Sequence, residues 1–165
     1  MLNEFNFALQ TRIVFGNGKI VETGEIAKGF AAKKVIIITD QNVAKTEIFQ
    51  TVNQSLIDCG IETFVYSGVL PDPTAANAEE AGFYARSQHV DAVIGLGGGS
   101  SMDIGKAVAA MLSNDGGIKD VMKPNKLKND AKPLICIPTT AGTGSEVTSF
   151  AVLTLEEEKR KSSIY

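Results

Sequence analysis

The sequence predicts an α/β fold, a largely parallel sheet flanked by helices, and three observations carry that prediction. The run KVIIIT at 34–39 is continuously β-branched from Val35 on, the pattern of a parallel strand covered on both faces. Extended runs alternate with segments of helical spacing, the order that builds right-handed βαβ units. The stretch AVIGLGGGSSMDIGKAVAA at 92–110 passes from an apolar run through glycines and serines into a helix. Ile104, Val108, Met111 and Leu112 then share one helical face.

The elements follow in order. Residues 5–9 and 12–15 alternate apolar and polar side chains before Gly16-Asn17-Gly18, and predict an N-terminal β-hairpin or edge pair. Residues 19–29 predict a helix with Ile20, Gly24 and Ala27 available for packing and Gly29 as its stop. After strand 34–39, residues 42–59 predict a helix with Ile48, Val52 and Leu56 at four-residue spacing and Gly60 just beyond. Residues 61–66 read as a strand, 67–74 (SGVLPDPT) as a loop stiffened by Pro71 and Pro73, and 75–87 as an Ala-rich helix. Strand 92–96 and a helix from Ser101 onward complete the central unit. A long irregular stretch, 113–133, holds one helical turn at 118–122, and a buried strand at 134–137 runs into PTTAGTGSEVTSFAVL. Residues 148–155 resume as a strand, and 156–161 (EEEKRK) form an exposed turn before a last extended piece. Together these make a Rossmann-like arrangement in a single unit, residues 1–165.

Composition narrows the function classes. A length of 165 residues suffices for one domain with a core, and a net charge of −3 leaves no basic footprint for nucleic acid. No apolar run approaches the ~20 residues of a membrane span, and the N-terminus lacks the pattern of a signal peptide. Cys59 and Cys136 form no CxxC pair, so reduced thiols in a cytoplasmic protein are expected. The one histidine, His89, cannot by itself build a multi-histidine metal site.

In a parallel sheet, loops at the carboxyl ends of the strands gather on one edge, where ligands bind. Asp40, the 71–74 loop, the 97–101 turn and the 138–143 segment all fall there. Gly97, Gly98, Gly99, Ser100 and Ser101 place free backbone N–H groups at a helix start, which suits a phosphate; they equally suit a tight βα turn with a serine N-cap. Asp40 could accept hydrogen bonds from both hydroxyls of a ribose and repel a 2′-phosphate, favouring NAD over NADP; it could equally cap the next helix. Thr139, Thr140 and Thr143 offer hydroxyls beside Gly142 and Gly144, or form an ST-turn. Asp103, placed in the first helical turn, balances the helix dipole as a structural residue and would oppose a phosphate as a ligand-side one; its role stays open. His89, Lys161 and the lysines of 119–132 read most simply as solvated surface. No Ser/His/Asp or Cys/His arrangement supports hydrolysis.

Four segments together carry a resemblance: GVLPDPT (68–74), GGGSSMDIGKA (97–107), PTTAGTGSEVT (138–148) and KRKSSI (159–164). They resemble the iron-containing (group III) alcohol dehydrogenases. Dehydroquinate synthases and glycerol dehydrogenases share the fold but depart after the threonines; maleylacetate reductases and hydroxyacid–oxoacid transhydrogenases lie nearer. The resemblance implies a dehydroquinate-synthase-like N-terminal domain. It covers only the first half of a family chain, the half that binds the nicotinamide cofactor. The all-helical second half, which holds iron or zinc through one aspartate and three histidines, has no counterpart here. By resemblance, Asp40 serves the ribose, Asp72 the adenine side, and Gly98, Gly99 and Ser100 the pyrophosphate. Thr139, Thr140, Thr148 and Phe150 lie toward the nicotinamide, and Lys161 joins the site; family members commonly carry asparagine at the Asp72 position. The implied reaction is hydride transfer between a small primary alcohol, or its aldehyde, and NAD, by a homo-oligomer. A stand-alone nucleotide-binding module without catalysis is the alternative.

Overall fold

The computed structural model describes residues 11–122 and 127–164. Four strands form an all-parallel sheet in the order β2-β1-β3-β4: β1 is Lys34–Ile38, β2 Glu62–Tyr66, β3 Ala92–Gly97 and β4 Leu134–Pro138. The period-2 alternation sorts the central strands onto two faces. Val35, Ile37, Ala92, Ile94 and Leu96 pack with Ala27 of helix α1 (Thr23–Gly29) and with Val52 and Leu56 of α2 (Glu47–Asp58). Ile36, Ile38 and Val93 pack on the other side with the alanines of α3 (Ala75–Ser87) and with Ile104, Val108 and Met111 of α4 (Gly99–Ser113).

Glycine lets α4 lie close on β3. A Cβ on Gly95 would stand 2.9 Å from the Met102 Cα, and one on Gly105 would stand 3.3 Å from the Gly95 Cα. Replacing Gly95 by alanine is therefore expected to destabilise the fold by about 1–3 kcal/mol, the usual cost of overpacking a tight core. A urea melt of the variant measures this, and an unchanged midpoint would contradict it.

Several boundaries differ from the sequence expectation. The helix at 19–29 opens as a 3-10 turn (Lys19–Glu22), and the left-handed residue past its end is Ala31 (φ 57°), not Gly29. The helix expected at 42–59 is broken: Val43–Lys45 is a 3-10 turn, and Thr46 starts α2 afresh by accepting the Phe49 N–H. That rotation leaves Ile48 43% exposed, while Phe49 packs inward. Gly60 (φ 71°) does close the helix. The expected turn within 113–133 is α5 (Ile118–Val121). The strand expected from Thr148 starts later, as β5 (Ala151–Leu155), and pairs antiparallel with β6 (Arg160–Ile164) in a ribbon separate from the main sheet. The first arm of the expected hairpin, 5–9, lies outside the described residues, and 11–15 has no strand structure. No helix among the described residues is long and apolar enough to cross a membrane.

Side chains the sequence did not single out tie these pieces together. The Arg86 guanidinium donates to the Met111, Asn114 and Gly116 carbonyls, closing the C-terminus of α4. Asn77, buried in α3, accepts from the Leu70 N–H and donates to the Gly68 carbonyl and the Tyr66 hydroxyl, fixing the proline loop.

Candidate functional site

Order 2-1-3-4 creates a switch point between β1 and β3, where successive chain connections leave in opposite directions and open a crevice at the strands' carboxyl ends. Asp40 follows β1 and the glycine turn ends β3, so both stand at this crevice. A Cβ on Gly97 would lie 3.7 Å from Asp40 Oδ2 and only 2.5 Å from Ser101 Oγ. With φ at 147°, Gly97 also occupies a backbone region that favours glycine.

Helix α4 begins two residues earlier than expected. Its N-cap is Gly98, and no side chain among the described residues caps it, so the serine-cap reading is overturned. The first N–H groups of the helix are therefore left for another acceptor, at the positive end of the dipole. Asp103 consequently falls in the second turn, beyond the helix start.

The parallel ladder carries the threonine segment to the same place: Gly97 pairs with Pro138, and the Thr139 N–H donates to the Gly97 carbonyl at 2.8 Å. A Cβ on Gly98 would lie 3.3 Å from Thr140 Oγ1, and one on Gly99 3.4 Å from the Thr143 Cβ. Glycine thus keeps open a narrow cradle between the turn and the threonines. Thr139, Thr140 and Gly142 are exposed, and Gly142 holds a left-handed φ of 88°. Thr143 takes its structural role, accepting the Ser145 N–H and donating to Glu146.

Asp40 divides its work between its two oxygens. Oδ1 accepts the N–H groups of Asn42 (2.8 Å) and Val43 (3.1 Å), which is the capping role. Oδ2, on the glycine side, has no hydrogen-bond partner among the described residues and remains available.

Asp72 and Lys161 are brought together with each other rather than with the glycine turn. Their ion pair spans 2.8 Å, and both side chains are largely exposed. The β5–β6 ribbon reaches the proline loop through the Thr154 N–H, which donates to the Pro73 carbonyl. Lys161 holds the Asp72 carboxyl below its ordinary value. The pair's contribution is therefore present above the ordinary carboxylate range and fades as pH falls through the lowered value. Asp72 itself adopts a left-handed φ of 57°, a conformation Asn and Asp tolerate best.

The most connected group at this edge is one the sequence reading passed over, Lys106. Its ammonium donates to the Phe150 carbonyl (2.6 Å), Ser145 Oγ (2.9 Å) and Thr148 Oγ1 (3.1 Å), and pairs with Asp103. Asp103 in turn accepts from Ser145 Oγ and the Val152 N–H. Its open role is thus to bind α4 to the threonine segment. The i, i+3 spacing of Asp103 and Lys106 was the available signal. Below this network the Cys136 thiol is pushed up to about 11 by burial, and both cysteines are unpaired. No group of three or more His, Cys, Asp or Glu side chains among the described residues could hold a metal ion.

Comparison with known proteins places this geometry. The family model for iron-containing alcohol dehydrogenases matches residues 10–165. The chain is 40% identical over 156 residues to a mitochondrial hydroxyacid-oxoacid transhydrogenase of Caenorhabditis elegans, covering 91% of this chain and 34% of that protein. It is 33% identical over 159 residues to the NAD-dependent methanol dehydrogenase of Bacillus methanolicus, covering 96% of this chain and 42% of that one. The solved structure of an NADH-dependent butanol dehydrogenase from Thermotoga maritima superposes with a TM-score of 0.89 at 36% identity, over 98% of this chain and 41% of its own. The chain therefore spans less than half the length of these relatives. A family match from residue 10 to residue 165, with a solved relative superposing on nearly all of the fold, makes this chain a member of the iron-containing alcohol dehydrogenases.

Proposed function

We propose that this chain is the NAD-binding portion of a metal-dependent alcohol dehydrogenase. In the whole protein, hydride passes between a small primary alcohol, or its aldehyde, and NAD. The observation that carries this is the uncapped start of α4, set at the sheet's switch point and facing threonine hydroxyls across a cradle that any Cβ would narrow. These features fit a dinucleotide pyrophosphate.

When bound, NAD supplies a nicotinamide ring that accepts or releases hydride; the chain's work is to hold and orient it. The N–H groups of Gly99 and Ser100, beside Gly97 and Gly98, serve the pyrophosphate. Asp40 Oδ2 accepts from the ribose hydroxyls, and its charge disfavours NADP. Thr139 and Thr140 donate from the facing loop, and the left-handed Gly142 lets that loop turn back. Thr148 and the half-exposed ring of Phe150 stand on the nicotinamide side, with Asp72 and Lys161 at the margin. The metal does not fit this set: the chain has a single histidine, and no ligand cluster occurs among the described residues. The unpaired cysteines suit a cytoplasmic setting.

The test is calorimetric titration of the chain with NAD and NADP. Weak saturable binding of NAD with weaker binding of NADP is expected, together with no alcohol oxidation by the 165-residue chain. Absence of binding by either nucleotide contradicts the cofactor assignment, and metal-dependent turnover by this chain contradicts the division of labour. The 40% identity to a transhydrogenase supports a second reading, hydride exchange between a hydroxyacid and an oxoacid. Assays of a longer protein containing this chain separate the two by whether reduced cofactor is released.

A further inference from the structure

We infer that Lys106 and Asp103 form a latch that positions Thr148 as a hydrogen-bond donor toward the nicotinamide end of the cofactor. The inference rests on the dinucleotide reading above and adds to it a residue that does not itself touch the ligand. The Lys106 and Asp103 side chains are only 10% and 15% exposed, so both charges are largely withdrawn from water. Such a pair is weak evidence for stability, because desolvation offsets much of the attraction. What this one does instead is organise a loop.

An ammonium has three protons, and the three nearest acceptors are the Phe150 carbonyl, Ser145 Oγ and Thr148 Oγ1. The 3.3 Å approach of Asp103 Oδ1 is then mainly ionic. Ser145 accepts from Lys106 and donates to Asp103, so its one proton is committed. Asp103 Oδ2 holds the Val152 N–H at 3.1 Å, anchoring the start of β5. Thr148 differs from Ser145. Its oxygen accepts from Lys106, but it has no acceptor for its own proton among the described residues, and it is exposed. The latch thus fixes Thr148 with its donor unspent, a hydroxyl suited to a carbonyl oxygen such as that of a carboxamide. Lys106 lies seven residues beyond Gly99, about 10 Å along the helix axis. The latch therefore works about two turns from the pyrophosphate cradle.

That separation defines the experiment. The intact chain and its Lys106→Met variant are titrated with NAD and with ADP-ribose, which lacks the nicotinamide. Hydrogen exchange is followed in peptides covering 145–152 and 92–97. The variant is expected to lose roughly 3- to 10-fold in NAD affinity, the worth of one hydrogen bond to a fixed donor, with ADP-ribose affinity changed less than twofold. Exchange should rise in 145–152 and stay unchanged in 92–97. Equal loss of both ligands, or loss of neither, overturns the inference. If the unmodified chain binds neither ligand, the dinucleotide reading fails, and unchanged exchange in 145–152 independently overturns the latch. Ser145→Ala, which removes the hydroxyl's two hydrogen bonds and keeps both charges, should move the same readouts in the same direction by less. It decides the matter should Lys106→Met fail to fold.

Discussion

Asp40→Gly is expected to weaken NAD binding by roughly 10- to 100-fold, the loss of a charge-assisted contact worth about 1.5–3 kcal/mol. NADP binding should stay level or strengthen, so the preference between the two nucleotides narrows or reverses. The reason lies in the division between the two oxygens. Oδ1 is committed to the Asn42 and Val43 N–H groups, whereas Oδ2 faces the glycine turn without a hydrogen-bond partner among the described residues. Removing the carboxylate removes both the ribose acceptor and the charge that repels a 2′-phosphate. It also frees the 3-10 turn at Val43–Lys45 from its cap, which should cost about 1 kcal/mol of stability. Paired titrations with NAD and NADP check the first effect and a denaturant melt the second. An unchanged preference would remove Asp40 from the ribose site.

Gly98→Val is expected to abolish measurable NAD binding, a loss on the order of 100-fold or more if two charge-assisted backbone contacts are blocked. Stability should change little, within about 1 kcal/mol. Gly98 has an ordinary extended backbone (φ −79°), so a side chain is tolerated conformationally. Its Cβ would stand 3.3 Å from Thr140 Oγ1, and the two methyls of valine would occupy the cradle itself. Gly97 makes the opposite case. There the positive φ and the Ser101 contact would couple loss of binding to loss of fold, so Gly98 is the cleaner probe.

Much of this was legible in the sequence. The β-branched run at 34–39, the Ala-rich helix at 75–87 and the strand–glycine–helix unit at 92–110 follow from periodicity and turn chemistry, and each forms with the expected element type, the strand–helix junction of the third displaced by one or two residues. Convergence of Asp40, the glycine turn and the threonine segment follows from parallel topology, which sends strand ends to one edge. Boundaries set by specific side-chain hydrogen bonds were less legible. Thr46 restarts a helix that apolar spacing alone would continue, and Gly98 replaces a serine cap because it alone separates the end of β3 from the first residue of α4. Asp72 and Lys161 resembled separate cofactor contacts, yet they are 89 positions apart in sequence (161 − 72) and meet only because the β5–β6 ribbon folds back to the proline loop. Lys106 was hidden for the same reason: apart from Asp103, its partners lie 39 to 44 positions away.

Residue-resolved titration tests the central claim most directly. Amide chemical shifts of the isotopically labelled chain are followed as NAD is added. The account predicts saturable shifts concentrated at Gly98, Gly99, Ser100, the backbone beside Asp40, and Thr139–Thr140, with β2 and α2 silent. Saturable shifts confined to another surface, or none at Gly98–Ser100, would contradict the assignment of this sheet edge to the cofactor.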